Sequence, residues 1–135
     1  MSKVVQFNFE KNHDKEIDIN GTVYSIPMDD ASKEKYVKAT KKFGIAGEEI
    51  AKSSASLLDM SDEEISALTA KQCDMMKDLI ETILGKGTFK TMYALAGKSA
   101  LKLMPLAQEL LRLVSDLDEE TYAQVTDKYL QNGKK

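Results

Sequence analysis

A chain of 135 residues, 42% apolar and 30% charged, has the size and balance of one globular domain that removes about two-thirds of its unfolded surface from water. Only 7% of residues are aromatic and none is Trp, so aliphatic side chains, Met and Ala must fill the core, which favours helices over a β-sandwich. One Cys and one His exclude a disulfide framework and a four-ligand zinc site, the net charge of −3 gives no footprint for nucleic acid, and no run approaches the ~18 uncharged apolar residues of a membrane span.

The N-terminal run is too short and too weakly apolar for a secretion signal, so the expected location is cytoplasmic. Lys3-Val4-Val5-Gln6-Phe7-Asn8-Phe9 alternates through Val5, Phe7 and Phe9 and reads as a possible third strand. Two β-prone runs then flank Asn20-Gly21, a pair that takes positive φ cheaply and suits a type I′ hairpin turn. That turn sets Ile19 opposite Thr22 and Ile17 opposite Tyr24 on one face, with Asp18 and Val23 on the other. An isolated hairpin is marginal in water, so it is expected to pack on helices or to add to a partner's sheet.

Pro27 ends the hairpin, and Asp29, Asp30 and Ser32 offer N-caps for a long helix over about 30–58. Its apolar seam is Tyr36, Phe43, Ile50 and Leu57, each seven apart, with Ala39, Ala46 and Ser53 as small intervening positions. Gly44 and Gly47 predict a bend or a close approach. Ser61-Asp62-Glu63-Glu64 is a capping box for a helix from 62 to about 84, which Gly85-Lys86-Gly87 closes. A third helix carries Phe89, Met92, Tyr93 and Ala96 and stops at Gly97. A fourth carries Leu103, Leu106, Ala107, Leu110, Val114 and Leu117, with Pro105 predicting a kink at 101–105 or a helix start near itself. Asp118-Glu119-Glu120 opens a final helix through Tyr122, Val125, Tyr129 and Leu130. The expected fold is mainly α with a small N-terminal β-hairpin: a hairpin and strand appendage over 1–28, a helical bundle of four or five helices over 29–131, and a frayed tail over 132–135.

No catalytic set emerges. Gly97-Lys98-Ser99 ends like a phosphate-binding loop, but Met92 stands where that pattern needs its first Gly. Ser32-Lys33-Glu34-Lys35 and Ser99-Ala100-Leu101-Lys102 fit S-x-x-K without the accompanying motifs of acylating enzymes. Most acid pairs fall at predicted helix N-termini, where they complement the dipole, and none has calcium-loop spacing. His13 and Cys73 have no partner of a catalytic or ligating kind nearby in sequence. The chain is expected to be non-enzymatic and to use no cofactor or metal.

The order of elements is nevertheless distinctive. The strand pair around Ile17-Asp18-Ile19-Asn20-Gly21 and Tyr24 leads into Asp29-Asp30-Ala31-Ser32-Lys33-Glu34-Lys35-Tyr36 and a long Lys/Glu helix. Leu79-Ile80-Glu81-Thr82-Ile83-Leu84-Gly85-Lys86-Gly87-Thr88 then precedes a short helix and an amphipathic one. Over roughly residues 15–117 this resembles the small, G-type tail-assembly chaperones of long-tailed phages and prophages of Gram-positive bacteria. The resemblance implies a protein that holds the tape-measure protein, helps recruit tail-tube subunits in the host cytoplasm, and is absent from the mature virion. In many such phages a ribosomal frameshift also makes a longer fusion, and Gly133-Lys134-Lys135 is compatible with the A-rich slippery codons that this requires. Such a chaperone needs apolar grooves kept dispersed by charge. The candidates are the seam Tyr36, Phe43, Ile50 and Leu57 and the segment carrying Phe89, Met92, Tyr93 and Met104, with the hairpin available for self-association. The alternatives are another phage-encoded interaction module, such as a connector or an inhibitor of a host defence protein, and, more remotely, a small enzyme built on Ser99 and Lys102 or on the acid pairs.

Overall fold

The computed structural model describes residues 3–9, 11, 13–54 and 56–115. Strands β1 (Lys15–Ile19) and β2 (Thr22–Ile26) form an antiparallel hairpin. Helices α1 (Asp30–Ser54), α2 (Asp62–Leu84), α3 (Thr88–Leu95) and α4 (Met104–Val114) follow, with single 3₁₀ turns at Leu57–Asp59 and Leu101–Leu103. The chain is mainly helical with a small N-terminal hairpin.

The hairpin register is the predicted one, Ile17 opposite Tyr24 and Ile19 opposite Thr22. Asn20 and Gly21 both take positive φ, +50° and +91°, as a type I′ turn demands. Asp18 reinforces the turn by accepting from the Gly21 amide at 2.8 Å. The strand expected over Lys3–Phe9 is absent; that segment is described without secondary structure, and its apolar side chains are exposed.

At the start of α1, the Asp29 carbonyl accepts from the Lys33 amide at 2.9 Å and the Asp29 carboxylate accepts from the Ser32 hydroxyl at 2.5 Å. The helix ends at Ser54, four residues before the predicted stop. Ser53, Ser54 and Ser56 compete for backbone groups and continue a helix poorly, and residues 51–54 are exposed, so no packing holds another turn. At α2 the Ser61 hydroxyl accepts from the Glu64 amide at 3.2 Å, as the capping box predicts. The reciprocal arm differs: the Glu64 carboxylate accepts from the Ser61 hydroxyl at 3.1 Å.

Helix α3 closes on a Schellman motif. The Lys98 amide reaches back to the Tyr93 carbonyl at 2.8 Å and the Gly97 amide to the Ala94 carbonyl at 3.1 Å, with Gly97 at φ +70°. Ser99 caps the next turn by accepting from the Lys102 amide at 3.3 Å. Pro105 resolves into the second of its two expected roles. It sits in the first turn of α4, where its missing amide would have had no intrahelical partner.

Helix α2 lies at the centre and touches α1, α3, α4 and β2. It gives Met75, Met76, Leu79, Ile80 and Ile83 to the core, joined by Tyr36 and Ala39 of α1, Met92 of α3, and Ala107, Leu110 and Val114 of α4. The hairpin belongs to the same core, for Ile26 is fully buried and Ile17, Ile19 and Tyr24 pack against the cluster. Lys15 ties β1 to the last described helix by donating to the Leu113 carbonyl at 2.6 Å, a cation placed at a helix C-terminus. The final helix predicted from Asp118, the position Leu117 and the tail over 132–135 lie outside the described residues.

Candidate interaction grooves

Ile50 of α1 and Met75 of α2 meet at one end of the helix pair, and an apolar groove opens on either flank of that contact. On the first flank, a groove of about 200 Å³ is floored by Ala39, Phe43, Ala46, Ile50 and Met75. Its rim carries charges of both signs: Lys42 lies 3.9 Å from Asp78 and Lys71 lies 3.8 Å from Glu49. On the second flank, a groove of about 150 Å³ runs between α1, α2 and the start of α4. Gly47, Ala51, Met75, Met76, Ala100, Leu101 and Met104 line it, and Gln72 is its one polar side chain. Helical spacing explains the split, since Lys42 and Glu49 fall on one side of Ile50 and Gly47 and Ala51 on the other.

The second groove exists because the residues above it are small. A Cβ added to Gly47, or to Gly44, meets nothing within 4 Å. Neither glycine therefore marks the expected close approach; Gly47 leaves a gap. The groove's walls are soft, because Met75, Met76 and Met104 change shape at little cost. Leu101 stands at its edge, 74% exposed.

The eight residues proposed from sequence divide four ways. Tyr36 and Met92 are core, 3% and 1% exposed, though Tyr36 also lines the foot of a third groove, of about 460 Å³, beside Val37, Leu111 and Val114. Tyr36 also has a structural task, donating its hydroxyl to the Pro27 carbonyl at 2.7 Å. Burial pushes its phenol pKa upward. Phe43, Ile50 and Met104 are half-buried and line grooves. Leu57 falls beyond α1 in the 3₁₀ turn, so the seam stops at Ile50 and Leu57 is left exposed beside Leu58.

Phe89 and Tyr93 form a separate stack on α3, with ring centroids 5.2 Å apart. The Cys73 thiol approaches the Tyr93 hydroxyl at 3.9 Å, and this contact, with burial second, raises the Tyr93 pKa. Cys73 thus has a neighbour that the sequence did not suggest, a phenol twenty residues on across the α2–α3 break rather than a histidine.

Sequence reasoning also missed Glu81. Its carboxylate accepts from the Gly87 amide at 3.0 Å and the Phe89 amide at 3.4 Å, capping α3 from the last turn of α2. The signal was there, an acid six residues before a glycine that precedes a helix. Among the described residues no three His, Cys, Asp or Glu side chains converge as a metal site requires. No helix among them is long and apolar enough to cross a membrane.

The fold is thus a hairpin joined to a small helical core, with shallow apolar grooves between its helices. Residues 20–135 match the model of a family of unknown function, DUF6673, and the chain belongs to that family. No curated protein and no solved structure matches it.

Proposed function

We propose that this protein is a phage tail-assembly chaperone of the G type. In this reading it holds the tape-measure protein and helps recruit tail-tube subunits in the host cytoplasm, and it does not remain in the mature virion. It works by binding rather than by catalysis.

The observation that carries the reading is the uncharged groove between α1, α2 and α4, floored by Gly47 and Ala51 and walled by three methionines. A tape-measure protein is long and helical, and an amphipathic helix presses its apolar stripe into such a groove. Methionine walls accept successive, non-identical stretches of one partner, which a chaperone of a long polymer must do. The charged rim of the neighbouring groove keeps the surface dispersed when no partner is bound.

Co-expression with the tape-measure product of the neighbouring gene tests the proposal. The expected result is a soluble tape-measure protein that co-purifies with this chain, and loss of co-purification on Ala51→Glu, which places a carboxylate over the groove. Unchanged solubility and no co-purification would sink it.

A further inference from the structure

The segment ahead of the hairpin is an apolar feature that the core and the two α1–α2 grooves leave unused. Val4, Val5, Phe7 and Phe9 are 86, 88, 75 and 79% exposed, although Lys3 is the only charged residue from Lys3 to Phe9. The Phe7 and Phe9 rings meet edge to face with centroids 4.8 Å apart, as side chains two residues apart on one face of an extended chain do. The segment has strand-forming side chains and strand-like alternation, and no strand beside it.

The hairpin has two edges. That of β1 presents Lys15, Glu16 and Asp18, and charged side chains discourage strand addition. That of β2 contains no charged residue, and its outward Val23 is 57% exposed. Within one chain an antiparallel addition to the β2 edge is out of reach. A strand antiparallel to β2 is parallel to β1, the strand it leads into, and that connection needs a crossover of about a dozen residues or more, whereas only residues 10–14 separate Phe9 from Lys15.

We propose that residues 4–9 of one copy add as an antiparallel third strand to the β2 edge of a second copy, and that the exchange is reciprocal. The alternation matches. Val5, Phe7 and Phe9 extend the inner row of Tyr24 and Ile26, while Val4, Gln6 and Asn8 extend the outer row of Val23 and Ser25. Main-chain hydrogen bonds supply the affinity of such an addition and the alternate side chains its register. Two equivalent additions close a two-fold dimer and leave no free donor segment. The proposal is independent of the tape-measure reading.

Sedimentation of the full chain over a dilution series tests it, with amide exchange of Val23 and Ser25 as the local readout. A dimer is expected, with those amides protected only at concentrations where it forms. Phe7→Asp alters the donor and Val23→Lys the acceptor. Each is expected to raise the dimer dissociation constant about tenfold or more, Phe7→Asp because an apolar side chain is lost from the inner row and Val23→Lys because a charged edge discourages strand addition. Both side chains are exposed in the single chain, so helical circular dichroism should be unchanged. A wild-type chain that stays monomeric throughout overturns the proposal, as does a dimer that survives both substitutions, or Val23 protection that is independent of concentration.

Discussion

At the scale of single residues, polar side chains placed at chain ends and breaks hold the geometry. The Tyr36 hydroxyl bonds the Pro27 carbonyl just before α1. Tyr36→Phe leaves that carbonyl without its partner and should cost about 1 kcal/mol at neutral pH in denaturant unfolding. The pH dependence has a definite sign. Burial raises the folded-state pKa of Tyr36 above its ordinary value. Its contribution is therefore complete below the unfolded tyrosine pKa and is lost as pH rises through the folded one. The alkaline decline in stability should be shallower in Tyr36→Phe than in the wild type. Glu81→Gln keeps an acceptor over the Gly87 and Phe89 amides but removes the charge that favours a helix N-terminus. We expect a loss of about 0.5–1 kcal/mol, and α3 amides that exchange faster than those of α2 by hydrogen-exchange mass spectrometry.

The glycines make a sharper pair, because the same substitution has opposite signs at two positions. Gly97 sits at φ +70° at the C-terminus of α3, so Gly97→Ala should destabilise by about 1 kcal/mol. Gly44 is helical, and an added Cβ meets nothing, so Gly44→Ala should stabilise by about 0.5–1 kcal/mol. Thermal melts of the two variants read this directly; shifts of the same sign would refute the assignment of one or the other backbone.

Among the elements, α2 is the part on which the others are assembled, and α1 is a wall with one packed end. Leu79 is 1% exposed in the C-terminal third of α2. Leu79→Ala should cost about 2–5 kcal/mol through lost burial and the cavity left behind. Phe43, by contrast, lines a groove that opens to solvent. From the heptad seam alone, Phe43→Asp is expected to disrupt the fold. The structure changes that expectation: a half-buried ring forfeits about 1–2 kcal/mol, and the new carboxylate joins Glu49, Asp74 and Asp78 beside only two lysines. Chemical denaturation should rank Leu79→Ala well below Phe43→Asp, with the latter still folded at 25 °C.

Over the whole molecule, one core joins the first described strands to the last described helix. Ile26 is fully buried at the end of β2, and Lys15 of β1 holds the C-terminal end of α4. If hairpin and helices are one cooperative unit, Ile26→Ala should lower the stability of both together by about 2–5 kcal/mol. The prediction is a single unfolding transition seen identically by far-ultraviolet circular dichroism and by tyrosine fluorescence, with Tyr24 among the reporters. A hairpin that melts ahead of the helices would contradict it.

Local chemistry alone settled much of this chain. Asn20-Gly21 determined the hairpin and its register, because few residue pairs adopt two consecutive positive φ angles. Ser61 determined the start of α2 and Gly97 the stop of α3, because each acts on the backbone within four residues of itself, whereas Pro105 left a kink and a helix start both open and the fold decided for the start. What depends on distant neighbours was decided only by the tertiary structure. A seven-residue repeat ran from Tyr36 to Leu57 in sequence, but the helix lasts only while packing supports it, so Leu57 fell out of the seam. Tyr36, Phe43 and Ile50 share one stripe, yet Tyr36 is core while Phe43 and Ile50 are half-buried, because Leu111 and Val114 of α4 lie beside Tyr36 and the two later positions border open grooves. The groove itself has no sequence signature. Gly47, Ala51, Met75 and Met104 are unremarkable separately and become a surface only when three helices bring their small and soft side chains to the same place.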